Sequence, residues 1–137
     1  AGLGRVREVD REDDAAADWA FELSACDDLS AVEDAFAEVE AVGAGYLEVD
    51  AAVIALAACE VLARLQGRQG YSDPYTEPAD VWVASHPIAP PPELIARASA
   101  AIDRVLAPDS ELREVWDEAD GEAWRAAVEE LRGRVQA

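Results

Sequence analysis

The stretch "VDAAVIALAACEVLARLQG", residues 49–67, constrains the fold more than any other part of the chain. Nine consecutive positions from Ala51 to Cys59 are apolar, and Glu60 follows directly. Asp50 can cap a helix here and Gly67 can end it, which gives about four turns. With Glu60 at the origin of a helical wheel, Val53, Leu56, Ala57 and Arg64 share its side, while Ile54, Ala58, Val61 and Leu65 form the opposite one. A helix apolar on both sides is packed by neighbours all round. The expected fold is therefore all-α, a single-domain compact bundle of about five to seven helices around a central helix at 50–66.

Glu60 is the residue in that helix that poses a chemical question. Unpartnered among Val53, Leu56 and Ala57, it would resist ionisation, which is how a general acid is made. Arg64 lies one turn later, in the orientation that favours an i,i+4 pair, so desolvation and attraction oppose each other. The expected role is a structural ion pair, Glu60 with Arg64.

Charge narrows the function classes. Thirty acids face eleven bases, for a net charge of −19. A field of that sign repels phosphate backbones and anionic lipid, which argues against direct nucleic-acid binding and membrane attachment. No apolar run approaches the roughly 18 residues of a membrane span. Every base is Arg, and Lys, Asn and Met are absent, a pattern of codon bias in a GC-rich genome. Cys26 and Cys59 sit in apolar helical patterns with no secretory segment before them, as expected of reduced core thiols in a cytoplasmic protein.

The rest of the chain reads as further helices. Residues 1–12 have no sustained period and are expected to form a loose N-terminal arm before a single domain at 13–137. "DDAAADWAFELSAC" starts a helix capped by Asp13 or Asp14, with Trp19, Leu23 and Cys26 on its stripe. "SAVEDAFAEVEAVG" carries a capping box, Ser30 with Glu33, an inward stripe at Val32, Ala35, Phe36, Val39 and Val42, and a stop at Gly43. Residues 68–92 form a Pro-rich connector. Within it "TEPADVWVASH" reads as a short helix capped by Thr76 and stopped by Pro87, or alternatively as a strand at "VWV". Three more helices follow. One bears Leu94, Ile95, Ala98, Ile102 and Val105 inward. The next has Leu112, Val115 and Trp116, with Asp109 or Ser110 as cap. The last has Trp124, Val128, Leu131 and Val135.

Candidate chemistry is sparse. His86 is the only histidine, and a zinc site would need Cys26, Cys59 and carboxylates to converge on it, so a helix-terminal histidine is the expectation. "DEADGE", residues 117–122, has the wrong acid spacing for a calcium loop and reads as an interhelical turn capped by Asp120 or Gly121. No motif calls for a cofactor. Tyr71, Tyr75, Trp82 and His86 lie in or beside the proline-rich segment and form the candidate interaction surface, since aromatics on a stiff loop can anchor a partner. The competing reading of Trp82 is a plug for the core beneath that loop.

Taken in order, "DDAAADWAFEL", "GYLEVDAAVIALAACEVLARLQG" and "ASAAIDRVLAPDSELREVWDEADGEAWRAAVEELRGRV" resemble the bacterial family known as domain of unknown function 4259, from about Asp13 to Val135. The family pattern begins with a Gly-x-Trp-Gly segment, then Phe and an Asn-Asp pair. Here Leu3-Gly4 and Asp13-Asp14 stand nearest those positions, and the Trp and Phe are missing. The resemblance implies a small bacterial helical protein and brings no assigned activity.

Three functional classes follow from these residues. The foremost is a non-enzymatic interaction or regulatory protein whose acidic faces meet a basic protein partner. The second is a structural protein that self-associates as a homo-oligomer through Ala-rich faces. The third is a small enzyme or ligand-binding protein with a pocket near Glu60, Arg64 and His86.

Overall fold

The computed structural model describes residues 15–68 and 77–136. Among them seven helices follow one another: α1 at 15–24, α2 at Ser30–Val42, α3 at Val49–Leu65, α4 at Glu77–Ser85, α5 at Pro92–Leu106, α6 at Glu111–Asp117 and α7 at Gly121–Gln136. "VWV" is helical, inside α4, with Pro78 in its first turn. The expected arm at 1–12, the caps Asp13, Asp14 and Thr76, and the candidate surface residues Tyr71 and Tyr75 lie outside the described residues.

The helix α3 is the axis of the fold. It touches α2, α4, α5, α6 and α7, and none of its residues from 51 to 65 is exposed. Its C-terminus closes as the sequence predicts. Gly67 takes φ 78°, its N–H donates to the Arg64 carbonyl at 3.0 Å, and the Arg68 N–H donates to the Ala63 carbonyl at 2.9 Å. Only a residue at ease with positive φ completes that pair of bonds.

Helix starts depart from expectation. Asp50 does not cap α3. The helix begins at Val49, whose N–H donates 2.8 Å to Glu111 Oε1 on α6, so the cap comes from a residue distant in sequence. The loop before it is pinned to the same place. The Leu47 N–H donates to the Asp109 carbonyl at 2.8 Å, and the Glu111 N–H donates to the Leu47 carbonyl at 2.9 Å. The capping box at Ser30 and Glu33 does not form either. Leu29 takes the cap position, one residue before the box requires, and Asp28 Oδ1 accepts the Ser30 N–H at 3.0 Å. At α6, Ser110 occupies the cap position but its hydroxyl is buried without a hydrogen-bond partner. Asp120 does cap α7, accepting from the Ala123 N–H at 3.1 Å.

The expected stripes are otherwise inward. Val32, Ala35, Phe36 and Val39 of α2 are buried, while Glu33, Asp34, Glu38 and Glu40 are exposed. Arg97 on α5 grips Glu40 with two bonds of 2.8 and 2.9 Å, which holds the Glu40 carboxyl below its ordinary pKa. Cys59 is buried, and burial pushes its thiol pKa well up. Cys26 is only half-buried, because α1 ends at residue 24 and leaves it on the turn that follows.

Replacing Glu111 with Ala should lower stability by about 1–2 kcal/mol, the cost of losing a helix cap. Urea unfolding of the two proteins, with equal m-values, checks it.

Candidate functional site

Glu60 emerges from α3 into the angle between α4 and α7, and both of those helices bring charge to it. Arg64 Nη1 donates to Glu60 Oε2, as the sequence predicts. Arg134 of α7 adds two bonds, Nη1 to Oε2 at 3.0 Å and Nη2 to Oε1 at 2.7 Å. Arg64 also reaches Asp80 of α4 through Nε at 2.6 Å, and Arg134 Nε reaches Glu130 at 2.6 Å. The ion pair is thus one link of a chain, Asp80–Arg64–Glu60–Arg134–Glu130, across three helices. The Glu60 bonds raise the pKa of Arg134 against the opposing pull of desolvation.

Arg64 is the buried member, with 3% of its side chain exposed against 27% for Glu60. Removing its partner therefore strands a cation out of water, which is costlier than losing a surface pair. Asp80 and Arg134 were not read from sequence as members. The signal for Arg134 was its place beside Val135 on the α7 stripe, at the edge of a buried seam.

The network closes one end of a groove of about 350 Å³ between α1, α3, α4 and α7. Trp19, Val53, Leu56, Trp124, Val128 and Leu131 make its apolar walls. The Trp19 indole N–H is turned away to the Ala31 carbonyl, 3.3 Å, which leaves ring carbon facing inward.

His86 does not join Glu60 and Arg64 in a common pocket. It lies just past α4, stacked on Trp82 with ring centroids 4.6 Å apart. Its Nδ1 is 2.9 Å from the Trp82 carbonyl, and its Nε2 is 3.6 Å from Asp27 Oδ1. Both residues line a separate, shallow depression of about 390 Å³ with Ser24, Pro78, Val81 and Ser85. Trp82 itself is a core plug, 3% exposed, with its indole N–H on the Cys26 carbonyl at 2.8 Å. The ring packs in the core and also lines the depression beside His86. The exposed apolar side chains nearby are Phe21 at 79% and Val81 at 60%, which sequence reading passed over because each fits a helical pattern.

The remaining candidates are engaged locally. Asp117 pairs with Arg125 at 2.9 Å and lies 3.5 Å from Arg113, while Asp120 caps α7. Among the described residues no group of three or more His, Cys, Asp and Glu is placed to hold a metal ion. No described helix is long and apolar enough to cross a membrane.

Glu60→Gln should destabilise the fold by about 2 kcal/mol, below the full cost of breaking a buried pair because Asp80 still serves Arg64. Glu130→Gln, at the exposed end of the chain of charges, should cost under about 0.5 kcal/mol. Urea unfolding of both variants checks the order.

No curated protein and no solved structure matches the chain. A family model does, the domain of unknown function DUF4259, over residues 12–127. The match takes in α1 to α6 and the first turns of α7, including Glu60, Arg64, Asp80 and both walls of the depression, and stops short of Arg134. By that match the chain belongs to the DUF4259 family.

Proposed function

We infer that this domain is a non-enzymatic protein-binding module that meets a basic partner through the face shared by the end of α1 and α4. The observation that carries the reading is the exposure of Phe21 and Val81, two large apolar side chains offered to solvent on adjacent helices. Phe21 stands one turn before Ser24, which lines the depression with Pro78 and Val81. Glu22 and Asp27, exposed, are near Phe21 in sequence, and exposed Glu77 lines the depression. An apolar centre within an acidic rim suits a basic protein surface: the centre supplies affinity and the rim speeds encounter. Two copies of this chain meeting by the same face would oppose like charges, in molecules of net charge −19, so a basic partner fits better than self-association.

Catalysis has less support. Both oxygens of Glu60 accept from guanidinium groups, and His86 stands in a different depression from Glu60. The convergence of acid and base that a small hydrolytic site requires has no counterpart in that arrangement.

Crosslinking in host lysate at low salt should capture a basic protein whose yield falls as salt is added. Phe21→Ser with Val81→Ser should weaken that capture at least about tenfold at an unchanged Tm. Capture that survives the double substitution, or a mass that rises with concentration of the chain alone, would overturn the reading.

A further inference from the structure

The groove beside Glu60 is a separate feature. Helix α4 divides it from the Phe21–Val81 face, with Ala79 lining the groove and Pro78 and Val81 lining the depression. Its volume of about 350 Å³ suits a small molecule, and its walls are apolar with charge at one end only.

The sign of that end follows from exposure. Glu60 and Arg64 both border the groove, but Arg64 is 3% exposed and Glu60 27%. The groove therefore meets carboxylate oxygen before guanidinium. A carboxylate has about four lone-pair positions. Three hydrogen bonds fill Glu60, one from Arg64 and two from Arg134, which leaves a position open. The chain as a whole carries a net charge of −19. An anion is repelled from such an end, and a neutral hydroxyl can donate to the carboxylate but lacks the added attraction of opposite charge.

We propose that this groove binds a small organic cation with an apolar body, of the alkylammonium class. The ammonium donates to the open position of Glu60, and the hydrocarbon lies between Trp19, Leu56 and Trp124.

Calorimetric titration of the full chain with n-hexylammonium, hexan-1-ol and hexanoate tests this. Hexylammonium should bind at a single equivalent, at least about tenfold tighter than the alcohol, as the attraction between opposite charges requires. Hexanoate should give no heat of binding. Ala127 is an exposed residue of α7 on the groove rim, so Ala127→Phe can fill the groove while the fold is kept. It should weaken hexylammonium at least about tenfold with Tm unchanged. Glu60→Gln should bring hexylammonium down to the affinity of the alcohol. Absence of hexylammonium binding overturns the proposal, as does hexanoate binding equal or tighter. So does binding that Ala127→Phe leaves intact, or that runs to several equivalents and vanishes with salt, since either marks diffuse attraction to an acidic surface.

Discussion

Along the stretch from residue 51 to residue 65 the central helix offers no side chain fully to water, and such a helix has to be covered on every side. Helices α2, α4, α5, α6 and α7 pack against it, and their amphipathic stripes follow from that duty. The acid within the stretch is therefore the point of tension in the fold. Glu60 can sit there because α3 supplies one guanidinium and α7 a second, each hydrogen-bonded further outward to another acid. The network doubles as a register mark, since sliding α7 along α3 would part Arg134 from Glu60.

Arginine does this work throughout the molecule. Read from composition, its use in place of lysine looks like codon bias. Several of the described guanidiniums nonetheless exploit a flat fork that an ammonium lacks. Arg97 holds both oxygens of Glu40, Arg104 gathers the carbonyls of Gly43, Gly45 and Asp109, and Arg132 reaches Asp103, Glu129 and Ser99 from one side chain. Whatever set the composition, the helices are tied together by groups that donate in several directions at once.

The helical stripes, the Gly67 stop and the Glu60–Arg64 pair were legible in the sequence because each depends on residues within about one turn of each other. The start of α3 was not, because its cap is Glu111, 62 residues away from Val49. The Ser30 box failed for a local reason: the helix starts one residue early, with Leu29 as its cap, and Asp28 takes the Ser30 N–H. For the candidate site, sequence supplied the charge pair but not the walls of the groove, which come from four helices. His86 was grouped with Glu60 only by chemical type, and α4 keeps the two apart.

The short pairing of Leu47 with Ser110, together with Glu111 on Val49, makes the middle of the chain hostage to its later part. The first amide of α3, that of Val49, receives its partner only after α5 and α6 have been synthesised and folded back. Helix α3 thus cannot be a finished unit while the nascent chain is short. Its protection against solvent exchange belongs to the assembled whole, and loosening α6 should fray α3 from its N-terminal end.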